Sequence, residues 1–363
     1  MEAPTCARLP AEWEHHSQTW IGWPERPDNW REGAKPVQNT FVKVIQAISE
    51  FEPVNVVVST KQWKQVGSFF SDNKRIRVVE LSTDDCWLRD TGPVFIKERY
   101  RNLQSTIQGV DFTFNAWGGL IEGCYSNWEH DSLVAWKILE LERLKRYASN
   151  LVLEGGAISC DGEGTLITTE ECLLNRNRNP GWTRYQIEEE LNKFLGIDKV
   201  VWLPLGIYGD YDTNGHVDNL CVFVEPGKVV LHWTDDQTDP QYQRSLEALH
   251  ILERSSDAKG RRFAVYKLPA PGPFYRDEHE VRGLVCSNTA VIRKAGERLV
   301  ASYVNFYPVN DAIIMPSFGE PWDSKAETVF ERILPNKQIR KVPAREIILG
   351  GGGIHCITQH QPE

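Results

Sequence analysis

No run of 18 consecutive apolar residues occurs in this sequence, so no segment has the length and apolarity to cross a bilayer as a helix. The first residues, MEAPTCARLPAEW, lack the basic n-region and apolar h-region of a secretory signal, which makes a cytoplasmic location the expectation. C-x-x-C pairs are missing as well; the eight Cys are scattered singly between Cys6 and Cys356. With no His at ligand spacing from a Cys pair, neither a disulfide framework nor a zinc site is supported, and no metal is expected. A basic excess is also absent. Lys plus Arg is 41 against 50 Asp plus Glu, a net charge of −9, which disfavours nucleic acid as a partner. An acidic chain suits a small cationic substrate through long-range attraction. No low-complexity tract or linker interrupts the 363 residues, whose composition is that of an ordinary globular chain.

What is present alternates between two periods. Helical spacing predicts helices near 36–50, 61–70, 130–147, 183–195, 239–256 and 323–333. Between them lie β-rich runs, among them VNVVVS, RIRVVEL, GTLITT, KVVWLP, NLCVFV, KVVLHW, LVASYVNFY, AIIMPSF and EIILGGGGIHCIT. Strands alternating with helices indicate an α/β class. One scheme recurs: an acidic or Gly-rich corner, an apolar strand, a turn, a second strand. It fits 89–96, 153–169, 213–233, 301–318 and 346–358. Such self-similarity points to repeated supersecondary units whose corners meet at a common centre. A plain doubly wound sheet is the alternative that the pattern leaves open.

The corners carry the chemistry. Trp87-Leu88-Arg89-Asp90 stands before a Gly-Pro turn, and Glu154 precedes Gly155-Gly156 at the end of an apolar strand. Either acid could be an ordinary turn or strand-end carboxylate. The segment 210–219 is denser, with Asp210, Asp212, His216 and Asp218. On a strand, His216 and Asp218 would project from one face. A carboxylate beside His216 favours imidazolium, the state a general acid needs. A solvated loop and a calcium loop are the competing readings, and the downstream Glu of a calcium loop is missing. The last corner, Gly350 to Gly353 followed by Ile354-His355-Cys356, is too near the chain end to be a phosphate loop backed by a substantial helix. It reads as a Gly-lined cavity, with Gly352 in its wall, beside a nucleophilic thiol. His355, adjacent to Cys356, would face away on a strand and be structural. Carboxylates around a nucleophilic Cys make sense when the substrate is itself a cation, and two of them can hold a guanidinium through charge-assisted pairs.

The stretches PAEWEHHSQTWIGWPERPDNW, WLRDTGP, FNAWGG, LEGG, TTEECLLNRNRNP, GDYDTNGHVDN, WTDDQTDPQY, ASYVNFY and IHCITQ run through nearly the whole chain. In them the sequence closely resembles the agmatine deiminase (agmatine iminohydrolase) family of the guanidine-modifying, peptidylarginine-deiminase-like superfamily. The resemblance starts at residue 10, so a long cleaved leader is not expected within this chain. It implies one catalytic domain over 1–363, folded as a five-bladed, pseudo-fivefold α/β propeller of ββαβ units. It implies Cys356 as nucleophile, His216 as general acid and then base, and Asp90 and Asp218 as guanidinium-holding carboxylates. Glu154 then supports the guanidinium and His216, and Trp87 forms an aromatic wall. Asp212, with Asp210 as its rival, falls near the amine tail of the substrate. The implied activity is hydrolysis of agmatine for putrescine and polyamine synthesis, by a homodimer, without cofactor, metal, nucleic acid or membrane partner. The family's Gly-Gly-Gly-Asn-Ile-His-Cys reads Gly at 353 here, and its Ser-Ile-His reads Ala157-Ile158-Ser159. The first departure is expected to loosen the loop that presents Cys356.

Overall fold

The computed structural model describes residues 2–99 and 105–363. Its longer helices are Lys35–Ser49, Trp63–Phe69, Val134–Glu142, Arg184–Leu195, Gln241–Arg254 and Trp322–Ile333. Arg184–Leu195 shows how local chemistry sets the ends. Thr183 and Gln186 form a reciprocal capping box, and Gly196 ends the helix at φ 68°. The helix expected over 130–147 stops early, because Arg143 turns left-handed and Arg146–Val152 leaves as a strand. That strand buries Tyr147 and Leu151 on alternate positions, and this burial outweighs helix propensity.

Among the described residues the strands form five separate sheets of three or four strands, mixed parallel and antiparallel, so the class is α/β but not a single doubly wound sheet. Every sheet contains an antiparallel pair joined to a parallel strand. Cys221–Glu225 is antiparallel to Lys228–Trp233, which the helix Gln241–Arg254 links to the parallel strand Ala264–Pro269. Tyr307–Val309, Ala312–Ser317 and Gln338–Pro343 repeat this, as do Val94–Arg99, Ser105–Thr113 and Arg146–Val152. So do Ser159–Cys160, Thr165–Thr169 and Lys199–Leu203. In the fifth sheet the C-terminal strand Thr358–Pro362 pairs antiparallel with His16–Gly22, which runs parallel to Val54–Val58. A parallel neighbour requires a crossover, and the helices supply it.

Each predicted corner lies just before the first strand of one antiparallel pair. The corners themselves are short turns, not strands: Leu88–Thr91, Gly155–Ala157, Val217–Asn219, Tyr303–Asn305 and the turn at 354–357. The strands expected across LVASYVNFY and EIILGGGGIHCIT therefore begin only at Tyr307 and Thr358. The reason is where the backbone N–H groups go. Gly156 N donates to Asp90, Gly353 N to Cys356 Sγ and His355 N to Asn305, so these amides are not free for a sheet ladder. Near the start of the chain Trp20, Trp23 and Trp30 are buried and serve packing.

Candidate active site

The five corners bring their polar side chains together. A side chain added at Gly156 would lie 2.5 Å from His216 Nδ1 and 3.0 Å from both Asp218 Oδ2 and Asp90 Oδ1, so this glycine marks the centre of the cluster. Asp90, Glu154, His216 and Asp218 are all buried. His216 and Asp218 converge although their segment is a tight turn and not a strand; the pairing comes from the turn, not from period-two alternation.

Cys356 Sγ sits 3.6 Å from Asp218 Oδ2 and receives N–H groups from Gly353 and from the Asn305 side chain, each at 3.3 Å. Burial raises its thiol well above the usual range, and the Asp218 and Asp90 charges push it the same way. The two N–H donors act in the opposite direction. Asp90 accepts from Gly156 N and from the Trp117 indole, both at 2.9 Å. Burial raises its carboxyl, with Glu154 and Asp218 adding to the rise and His216 opposing it. Burial pulls His216 down, yet Asp90, Cys172 and Glu154 outweigh it and hold the imidazole well above its ordinary value. Glu154 is pushed up by burial and brought down to about 2 by Arg178, whose Nε donates to it at 2.7 Å, and by His216.

Asp218 uses its two oxygens differently. Oδ2 faces His355 Nδ1 at 2.9 Å, whereas Oδ1 is buried without a hydrogen-bond partner among the described residues. His355 does not face solvent or a sheet partner. The turn at 354–357 directs its ring between Asp218 and Glu12, 2.8 Å from Glu12 Oε2. Burial and Arg89 lower its affinity for a proton, but Glu12 and Asp218 prevail and raise it. Its expected structural role thus takes a specific form, the support of Asp218.

Cys356, Asp90, Trp87 and Gly352 line one pocket. Gly352 is there for close approach: a Cβ would lie 2.6 Å from the Trp87 ring and 3.1 Å from Cys356 Sγ. Asp85 fixes the Trp87 ring by accepting from its indole N–H at 3.0 Å, and also accepts from Trp30. Asp212 lines the same pocket, with Oδ2 bound by Arg293 at 2.5 Å. Asp210 is not in the wall. It accepts from Thr213 N, Thr213 Oγ1 and His216 N inside its own loop, and burial raises its carboxyl to about 6. Its place is that of a loop clamp, because every oxygen is used locally. At Gly353 a Cβ would lie 2.3 Å from Asn305 Oδ1, so this glycine lets Asn305 approach the loop closely.

Several residues at the site escaped the sequence reading. Asn305 belongs to the fourth corner, and the repeat itself was the signal, since every other corner had supplied a candidate. Trp117 lies in the quoted FNAWGG, where Ala116 and Trp117 both adopt positive φ, 55° and 63°. Arg178 lies in NRNRN. Glu12 lies in the quoted PAEWEHH, whereas Arg293 lies outside every quoted stretch and is placed only by packing.

The chain matches the Porphyromonas-type peptidyl-arginine deiminase family over residues 8–362. It is 54% identical to the agmatine deiminase of Medicago truncatula over 360 residues, 98% of this chain and 96% of the relative. It is 52% identical to that of Ectopseudomonas mendocina over 355 residues, 98% of this chain and 95% of the relative. The structure of the Enterococcus faecalis agmatine deiminase superposes with a TM-score of 0.93 at 41% identity, covering 98% of this chain and 96% of that one. The chain belongs to the Porphyromonas-type peptidyl-arginine deiminase family and, within it, to the agmatine deiminases.

Proposed function

We propose that this protein hydrolyses agmatine to N-carbamoylputrescine and ammonia through a covalent amidino adduct on Cys356, a step toward putrescine and polyamines. The observation that carries the reading is the unpartnered, buried Oδ1 of Asp218, on the side chain whose other oxygen is 3.6 Å from Cys356 Sγ. Leaving such an oxygen without a donor is costly, and a guanidinium N–H satisfies it. Asp90 holds the guanidinium with Asp218. The arriving cation also compensates the carboxylates that keep the thiol protonated, so the thiol proton leaves to solvent as substrate binds.

The thiolate then attacks the central guanidinium carbon. His216, held as imidazolium by its carboxylates, gives a proton to the departing nitrogen, and the C–N bond breaks to release ammonia. The neutral imidazole next takes a proton from water. The hydroxide adds to the amidino carbon, the C–S bond breaks, and the ureido product leaves with Cys356 restored. Glu154 holds the imidazole, Trp87 packs against the guanidinium face, and Asp212 serves the amine tail. No cofactor is needed for these steps.

The proposal extends to the architecture: one catalytic domain over 1–363, with the five sheets as blades of a pseudo-fivefold propeller. The five equivalent corners and the pairing of Thr358–Pro362 with His16–Gly22 support it. A cytosolic homodimer completes it; light scattering of the purified protein tests the assembly. Arg293 favours a second reading, because a guanidinium beside Asp212 offers a partner to the α-carboxylate of free arginine.

The test is incubation of the purified protein with agmatine, arginine and a peptidyl-arginine in EDTA, following ammonia and ureido product. Turnover of agmatine, abolished by Cys356→Ser, is the expected result. Turnover of arginine alone moves the conclusion to the second reading, and inertness on all three sinks both.

A further inference from the structure

Behind His216, on the side away from Gly156, three donor atoms converge. Among the described residues, Glu154, Cys172 and His216 place one ligand atom each within 4.8 Å of one another. All three side chains are buried. His216 Nε2 has no hydrogen-bond partner, and its nearest carboxylate oxygen, Glu154 Oε2, is 3.6 Å away. Cys172 Sγ lies 3.9 Å from that same oxygen. Cys172 is held there by the short helix Glu170–Leu173, whose Cys172 N donates to the Thr169 side chain. Nδ1, on the Gly156 and Asp90 side of the ring, is the nitrogen assigned to the proposed hydrolysis, which leaves Cys172 without a task.

We propose that Glu154, Cys172 and His216 form a carboxylate–thiolate–imidazole site for a zinc-class divalent cation, whose binding switches the enzyme off by capturing His216. Tetrahedral zinc with bonds of about 2.0–2.3 Å separates its ligand atoms by roughly 3.3–3.7 Å. The imidazole and the carboxylate already stand at such a separation, and the thiol, 3.9 Å from the carboxylate oxygen and within 4.8 Å of the imidazole nitrogen, closes the triangle by a shift of its side chain. The mixed S, N and O donor set suits zinc and cadmium and is a poor fit for magnesium or calcium. Thiolate plus carboxylate balance the dication. Arg178 is the orienting outer partner: its Nε binds Glu154 Oε1 at 2.7 Å and leaves Oε2 for the ion. Arg178 is fixed in turn by Asn177, Asn214 and the Thr213 carbonyl. Ligation forms Zn–S, Zn–N and Zn–O bonds and releases the Cys172 thiol proton and the His216 Nε2 proton to solvent. The site is separate from the nucleophile, since Cys356 takes no part in it. Its inhibitory consequence rests on the proposed role of His216; the binding itself does not.

The experiment starts from protein carrying Cys6→Ser, Cys286→Ser and Cys356→Ser, which removes the two exposed thiols and the nucleophile. Cadmium is titrated and the ultraviolet thiolate-to-metal band is followed. One tight equivalent is expected, lost on adding Cys172→Ala and, independently, on adding His216→Asn. An equivalent that survives both changes, or no band at all, overturns the site. In protein with Cys356 intact, zinc is then titrated against guanidine hydrolysis, each variant normalised to its own uninhibited rate. Cys172→Ala should require at least about tenfold more zinc for half inhibition. Unchanged sensitivity would assign inhibition to Cys356 and overturn the switch. An enzyme inert toward guanidines leaves the cadmium result readable, so the two readings fail separately.

Discussion

Replacing Asp218 by Asn should make Cys356 a stronger acid while abolishing turnover. The carboxylate and the sulfur are 3.6 Å apart and both buried. At an effective dielectric constant of about 20, two unit charges at that distance repel by roughly 4–5 kcal/mol, or about three orders of magnitude in the acidity of the thiol. The sign follows from the structure: Asp218 raises the thiol in the free enzyme, so removing its charge lowers it. A more acidic thiolate is intrinsically less nucleophilic, with a Brønsted slope of about 0.4–0.5, which cancels nearly half of the gain. Alkylation of Cys356 by neutral iodoacetamide near pH 7.5 should therefore accelerate roughly 30- to 100-fold. Mass spectrometry of the Cys356 peptide isolates this rate from that of the other seven thiols. Turnover should nevertheless collapse, because the oxygen that awaits a guanidinium N–H is gone. An alkylation rate in Asp218→Asn equal to or below that of the parent would refute the electrostatic account of this site.

Three further outcomes follow from the same geometry. Arg178→Met leaves Glu154 buried without its ion-pair partner and should cost about 3–5 kcal/mol, read as a lower denaturant midpoint. Asp131, raised to about 7 by burial, binds a proton on folding, so its contribution to stability falls as pH rises from about 4 through 7. Asp131→Asn removes that dependence, and urea unfolding should show the variant gaining roughly 2–4 kcal/mol on the parent between pH 5 and pH 8; an equal difference at both pH values would count against it. Trp117→Phe removes the indole N–H from the buried Asp90 and should lower kcat/KM for the guanidine substrate about 10- to 100-fold, with a fall in stability of about 1–3 kcal/mol read by urea unfolding.

The sequence by itself determined the α/β class, the helices that carry strong apolar periodicity, and the five corners with their chemistry. These are local properties: a 3.6- or 2-residue period, a Gly-Pro turn, a Cys beside four glycines. It also determined the acid–His–Cys inventory, because a guanidinium-modifying site needs residue types that packing alone would not select. Tertiary structure decided the rest. The corners proved to be turns because their backbone amides serve Cys356, three residues on, and Asn305 and Asp90, 50 and 66 residues away, and the distant partners are visible in no local window. Asp212 faces the pocket and Asp210 does not, although only Tyr211 separates them, because the loop closes around Asp210. Asn305, 51 residues before Cys356, reaches its sulfur, and Glu12 supports Asp218 through His355 from the opposite end of the chain. Such contacts depend on how the sheets are set against one another, and that arrangement is fixed by burial over the whole chain rather than by any local signal.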